Sequence, residues 1–112
     1  MKRIIAIVRP EKMESLKEAL FAAGVSGMTI MQAHGCGNQH GWKQYYRGTE
    51  VLVNMVEKMK FELVVDDEEV ESLVDLICNE AATGEVGDGK IFVSPVEEVV
   101  RIRTRERGKD AI

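Results

Sequence analysis

Hydrophobic spacing along this 112-residue chain switches from a strand pattern to a helix pattern and back, and it does so twice in the same order. Residues 2–9 hold Ile4, Ile5, Ala6, Ile7 and Val8, a short, mostly β-branched run that predicts a buried strand. Pro10 and Glu11 suit a helix start, and Met13, Leu16, Leu20 and Ala23 then recur at helical spacing. Gly24 follows, where a left-handed cap is expected, and residues 27–36 return to strand character. In the second unit, Met59, Phe61, Leu63 and Val65 alternate with Lys60, Glu62 and Val64. Asp66 and Glu69 have the spacing of a capping box, and Val70, Leu73, Val74, Ile77 and Ala81 form the next helical stripe. Residues 90–96 read as a strand. Residues 99–104 read as one more, with Arg101 and Arg103 on one face and Val100 and Ile102 on the other. Two tandem strand–helix–strand units predict a single α+β domain over residues 1–112, a ferredoxin-like double βαβ sandwich with both helices on one face of the sheet.

Totals narrow the function classes. The formal net charge is −4, which argues against a general nucleic-acid binder, whose affinity rests on an excess of Lys and Arg. No run of about 18 apolar residues is present to span a membrane, and the segment before Arg9-Pro10-Glu11 is too short for a secretory signal. A cytoplasmic protein is expected, with Cys36 and Cys78 as reduced thiols, because they match no Cys-x-x-Cys pattern. His34 and His40 share no standard metal-ligand spacing. A chain of this size buries only a modest core, so a site built between subunits is plausible.

The residues that carry chemistry are concentrated in Thr83-Gly84-Glu85-Val86-Gly87-Asp88-Gly89-Lys90 and in Arg101-Ile102-Arg103. Glycines let backbone N–H groups converge on an anion, since no Cβ blocks the approach and positive φ is accessible. Lysine and arginine add full charges and directed donors. The combination suits a polyphosphate and predicts a nucleotide-binding protein. The spacing is not that of a phosphoryl-transfer loop of the Gly-x-x-x-x-Gly-Lys-Ser/Thr type, and Ile91 stands where the hydroxyl would be. Residues 37–55 show little periodicity, and a loop this long in a small domain is usually functional. It carries Trp42, Tyr45, Tyr46 and Arg47, residue types that anchor interfaces. The alternative for this stretch is a β-hairpin.

Taken in order, Arg9-Pro10-Glu11-Lys12, Gly27-Met28-Thr29, Gly35-Cys36-Gly37-Asn38-Gln39, Tyr46-Arg47-Gly48, Thr83-Gly84, Gly87 to Val93, Arg101 to Thr104 and Ala111-Ile112 resemble the PII family of nitrogen regulatory proteins nearly end to end. The resemblance implies a compact homotrimer with ATP or ADP in each cleft between neighbouring subunits. It implies that 2-oxoglutarate binds with Mg-ATP at the base of the long loop (the T-loop, about 37–55). It further implies that this loop docks onto an ammonium channel, nitrogen-assimilation enzymes, nitrogenase control or regulators, so that any membrane contact is indirect, through a channel. Carried over residue by residue, the nucleotide positions are Thr29, Gly35, Gly37, Asn38, Gln39, Glu62, Val64, Gly87, Asp88, Gly89, Lys90, Arg101 and Arg103. Thr29, Glu62 and Val64 match the adenine and ribose pocket. Gly87 to Lys90 match the phosphate loop, and the two arginines match phosphate ligands supplied across the subunit boundary. Gln39 matches the Mg²⁺ ligand, Gln39, Gly41 and Lys58 match the 2-oxoglutarate site, and Tyr46, Arg47, Gly48 and Thr49 match partner-binding positions, Arg47 being the residue that plugs a channel exit.

The chain departs from this family at several points. Val51 stands where many relatives carry a uridylylated tyrosine, so that control is expected to be absent. Thr49 stands where some relatives carry a phosphorylated serine. Asn38 stands where an arginine that reaches the phosphates is common, and His40 and Trp42 also depart from the usual loop. The leading expectation is a non-enzymatic sensor. The alternatives are a trimer of the wider PII-like group that answers to a different small ligand, or a weak ATPase.

Overall fold

A computed structural model describes residues 1–36, 43–46, 49–52 and 55–112, with the two short internal segments described by backbone alone. The element order is β1 (Lys2–Val8), α1 (Met13–Ala22), β2 (Thr29–Gly35), β3 (Lys43–Tyr46), β4 (Thr49–Leu52), β5 (Val56–Val65), α2 (Val70–Ala81) and β6 (Lys90–Pro95). Single 3₁₀ turns precede both helices, at Pro10–Lys12 and Asp67–Glu69. The main sheet has the order β2-β5-β1-β6 with every neighbouring pair antiparallel. β5 therefore lies between β1 and β2, which run parallel to each other as the outer strands of a split βαβ unit. This is the α+β, ferredoxin-like arrangement that the tandem periodicity predicts.

Local chemistry sets the element ends. Pro10 opens the turn before α1, where its missing N–H costs nothing. The helix closes on Gly24 at φ 92°, with Gly24 N–H donating to the Phe21 carbonyl and Val25 N–H to that of Leu20. This pairing satisfies two terminal carbonyls and requires a residue that tolerates positive φ. Before α2, the Glu69 carboxylate accepts the Asp66 N–H at 3.3 Å, the reach-back half of a capping box.

The core lies between the helices and one face of the sheet. Ile4, Ala6 and Val8 of β1 and Phe61, Leu63 and Val65 of β5 are buried against Leu16 and Leu20 of α1 and Leu73, Ile77 and Ala81 of α2. Because β side chains alternate, residues 3, 5 and 7 of β1 and 58, 60, 62 and 64 of β5 share the opposite face. Among the described residues no further layer covers that face. The face presents half-buried Ile5, Ile7 and Val64, exposed Met31 and Phe92, and charged Arg3, Lys60 and Glu62.

Two sequence expectations change. Residues 99–104 are not a strand: Val100 bridges to Arg107, and 102–104 form a turn, with Arg105 N–H donating to the Arg101 carbonyl at 2.8 Å. Arg101 and Arg103 thus sit on a reversing loop rather than on one face of a strand, and Ile102 is 96% exposed at its tip. The chain folds back because the hydrogen bonds that close this loop are local, whereas an alternating stretch this short carries little sheet preference of its own. Within 37–55, β3 and β4 pair as an antiparallel hairpin with Tyr46 opposite Thr49, so the alternative for this stretch describes its backbone there. The remainder, 37–42, 47–48 and 53–54, lies outside the described residues.

Phe61 is fully buried beneath both helices, and replacing it with alanine leaves a cavity at the centre of the core. Phe61→Ala is expected to cost about 3–5 kcal/mol of stability; urea unfolding followed by circular dichroism measures it.

Candidate functional site

Sheet alternation concentrates cations at one end of the open face. Arg9 continues β1 in extended conformation (φ −63°, ψ 143°), so it extends the series 3, 5, 7. Lys60 and Lys90 flank Ile7 on the two neighbouring strands, and Lys58 lies one pleat beyond Lys60. The loop between α2 and β6 folds over this basic end. Gly84, Gly87 and Gly89 all adopt positive φ (87°, 102° and 108°), which turns the backbone sharply at three points in six residues.

The Asp88 carboxylate holds that loop together. Its Oδ2 accepts the backbone N–H groups of Thr83 at 2.7 Å and Gly84 at 2.9 Å, and its Oδ1 accepts the Thr83 hydroxyl at 2.5 Å and Arg9 Nε at 3.0 Å. Arg9 Nη2 also donates to the Val86 carbonyl at 2.9 Å, and Lys58 Nζ donates to the Gly87 carbonyl. The Thr83 hydroxyl and amide, followed by Arg9 and the Gly84 amide, hold the Asp88 carboxyl well below the usual carboxylate range. Asp88 is therefore an anion already satisfied by the protein. Its side chain shapes the loop that leads into Lys90.

Beside this loop a cavity of about 370 Å³ is lined by Arg9, Glu11, Met55, Glu57 and Lys58 among others, so two carboxylates stand with the two cations. It opens where β5 emerges from the 37–55 segment. Two cations on one wall suit a carboxylate or phosphate. A second concavity of about 270 Å³, on the helix side of the loop, is lined by Ile77, Cys78, Ala81, Asp88, Lys90 and Ile91 among others.

The residues singled out from sequence fall in several separate places. Lys58, Gly87, Asp88, Gly89 and Lys90 come together around the basic end. Thr29 and Glu62 are cross-strand partners farther along the same face, with Val64 one pleat on, and Glu62 lies 3.6 Å from Arg3 and 3.9 Å from Lys60. Gly35 ends β2 opposite Val56, close to the Lys58 stem. Arg101 belongs to the C-terminal loop, where Nη1 meets Glu106 at 3.1 Å and Nη2 donates to the Ile112 backbone oxygen at 3.4 Å; Arg103 is exposed there. Among the described residues no hydrogen bond joins either arginine to the 83–90 loop within one chain. Tyr46 and Thr49 pair in the hairpin backbone, and Gly37, Asn38, Gln39, Gly41, Arg47 and Gly48 lie outside the described residues. His34 stands exposed on β2 opposite Glu57, and Cys36 and Cys78 are exposed.

Arg9 and Thr83 received no site role from the sequence. Arg9 is 79 residues from Asp88, so no local spacing signals their contact. Thr83 was legible in principle, since a hydroxyl five residues before an aspartate in a glycine-rich turn suits a closed loop.

Gly89 makes the closest backbone approach in this loop: a Cβ there would lie 1.7 Å from the Ile7 carbonyl oxygen. Gly89→Ala is expected to cost more than about 3 kcal/mol. Gly84→Ala, strained in φ but facing open space, is expected to cost about 1 kcal/mol. Thermal unfolding of the two variants separates them. The depressed Asp88 carboxyl gives a second test. Its stabilisation is complete above the unfolded value of about 3.9 and is lost as pH falls below that towards the lower folded value. The urea midpoint of the parent chain is therefore expected to fall more steeply than that of Asp88→Asn between about pH 5 and pH 2.

Comparison with known proteins agrees with this architecture. The family model described as Nitrogen regulatory protein P-II matches residues 1–106. Nitrogen regulatory protein P-II 2 of Methanothermobacter thermautotrophicus is 52% identical over 112 residues, covering all of this chain and 97% of that protein. Proteins named Nitrogen regulatory protein P-II from Azospirillum brasilense (51%) and Nostoc punctiforme (50%) match over the full length of both chains. The fold, the family match over residues 1–106 and these full-length identities place the chain in the P-II family of nitrogen regulatory proteins.

Proposed function

We propose that this chain works as a homotrimeric, cytoplasmic sensor of nitrogen status. In this reading it binds ATP or ADP in clefts between protomers, binds 2-oxoglutarate beside the nucleotide, and reports the state to partners through the 37–55 segment. The observation that carries the proposal is the convergence of Arg9, Lys58 and the positive-φ loop Gly87–Gly89 on one basic end of the open sheet face, at the foot of that segment. A nucleoside triphosphate carries about four negative charges, and several preorganised donors are needed to offset its desolvation. Lys90 and the free amides of the loop serve the phosphates from one protomer, and Arg101 and Arg103 serve them from its neighbour. Thr29, Glu62 and Val64 take the base and ribose.

The trimer is supported by the open face. Ile5, Ile7, Val64, Met31 and Phe92 form an apolar surface opposite the core, and self-association covers it without a further domain. It also explains how two arginines remote from the phosphate loop in one chain serve the same ligand.

Lys58 and Arg9 suit the far carboxylate of 2-oxoglutarate. Gln39 would hold a Mg²⁺ ion brought in with the nucleotide, which would supply neutralisation of phosphate charge. Lys58 already donates to the Gly87 carbonyl, so a carboxylate that draws the amine away also alters the loop facing the phosphates. This contact links the two ligands in one equilibrium, since a ligand shifts conformations only by its differential affinity for them. The partner is then an ammonium channel or a nitrogen-metabolism enzyme such as nitrogenase, engaged by Tyr46, Arg47, Gly48 and Thr49. Proteins with this architecture that match the chain are named as regulators, which favours a sensor over an enzyme.

Calorimetry tests the linkage. Binding of 2-oxoglutarate is expected with Mg-ATP and at least about tenfold weaker with ADP or without nucleotide. Lys58→Ala is expected to abolish it while ATP still binds. Equal affinity under all three conditions, or a monomer in sedimentation, removes the proposal.

A further inference from the structure

The C-terminal loop contains a backbone feature that the reading above leaves without a role. Arg105 is the sole non-glycine residue among those described with positive φ, at 62°. It closes the loop: its N–H donates to the Arg101 carbonyl at 2.8 Å, Arg101 N–H donates to the Glu106 carbonyl at 2.9 Å, and Val100 bridges Arg107. The left-handed position that ends such a reversal is one that glycine ordinarily takes, because a side chain there meets the following carbonyl. A long cationic residue at that position is unfavourable locally and asks for a compensating use.

Charge deepens the problem. Residues 101–107 carry four arginines against one glutamate, in a chain whose net charge is −4. Glu106 pairs with Arg101 at 3.1 Å and Glu98 with Arg107 at 3.5 Å. Among the described residues no ion pair engages Arg103 or Arg105, and both are exposed. The hydrogen bond from Arg105 N–H to the Arg101 carbonyl brings their backbones together across the loop, with Arg103 on the turn between. Three arginines therefore share one small reversal, and the exposed Arg103 and Arg105 are free of the Glu106 pairing that holds Arg101, so they suit an anion with several charged oxygens.

We propose that Arg105 is a third phosphate-binding arginine of this loop, acting with Arg101 and Arg103 on the polyphosphate of a nucleotide held by the neighbouring protomer. The inference rests on the nucleotide reading given above. An added guanidinium matters most for the ligand with the greater charge, so its contribution is larger for ATP than for ADP.

Replacing Arg105 with glycine separates function from structure, because glycine relieves the backbone while removing the charge. Calorimetric titration of Mg-ATP and of ADP into the parent chain, Arg105→Gly and Arg105→Lys, with thermal unfolding of each, makes the test. The expected result is that Arg105→Gly binds ATP about tenfold more weakly, with a smaller loss for ADP. Its unfolding midpoint is expected to be unchanged or higher, and Arg105→Lys is expected to recover part of the ATP affinity. ATP affinity of Arg105→Gly within about twofold of the parent overturns the proposal. So does a loss of affinity matched by a lowered unfolding midpoint that Arg105→Lys fails to recover. If the parent chain itself binds no ATP, the nucleotide reading fails, and that outcome is distinct from a parent that binds and a variant that binds equally.

Discussion

The Asp88 carboxylate accepts four hydrogen bonds, three from Thr83 and Gly84 at the start of its own loop and one from Arg9 at the end of β1. These contacts tie the 83–90 segment, which holds three positive-φ glycines, to the end of the interior strand β1. Without them the glycines have more freedom to lose than any other residue type, and ordering them on a ligand would be costly. With them the loop is preorganised, and its remaining amides stay available to an anion. The close approach of Gly89 to the Ile7 carbonyl fixes the other end of the same loop against the same strand.

The constraint passes from the loop to the sheet through two long cations. Arg9 and Lys58 come from neighbouring strands and point to the same face because the pleat alternates. Each donates to a loop carbonyl, at Val86 and Gly87, while also lining the cavity beside β5. A ligand carboxylate in that cavity competes with those carbonyls for the same donors. The loop and the cavity lining thus share the same two cationic side chains.

The face that carries these cations is also the face without a partner layer. Its alternation of apolar and charged side chains is that of a surface to be partly covered, with hydrophobic centres at Ile5 and Ile7 and charged residues around them. The C-terminal arginines, closed into a reversal by Glu106 and Arg105, stand apart from the glycine-rich loop within one chain.

Periodicity in the sequence was sufficient for the fold class, for both helices with their stops at Gly24 and their starts at Pro10 and Asp66, and for the four strands of the main sheet, because amphipathic spacing and capping chemistry are local. The sharp turning of the glycine-rich loop was legible for the same reason, since positive φ at Gly84, Gly87 and Gly89 is what glycine permits. Arg9 was not, since its partner Asp88 is 79 residues away and only strand pairing brings β1 to β6. The reversal at 101–107 was misread because Arg101-Ile102-Arg103-Thr104 alternates as a strand does, and alternation alone does not say whether a neighbouring strand is present to accept its hydrogen bonds. The order of strands, the common end of the sheet where Arg9, Lys58 and Lys90 gather, and the positive φ at Arg105 are properties of packing, decided by contacts between residues far apart in sequence.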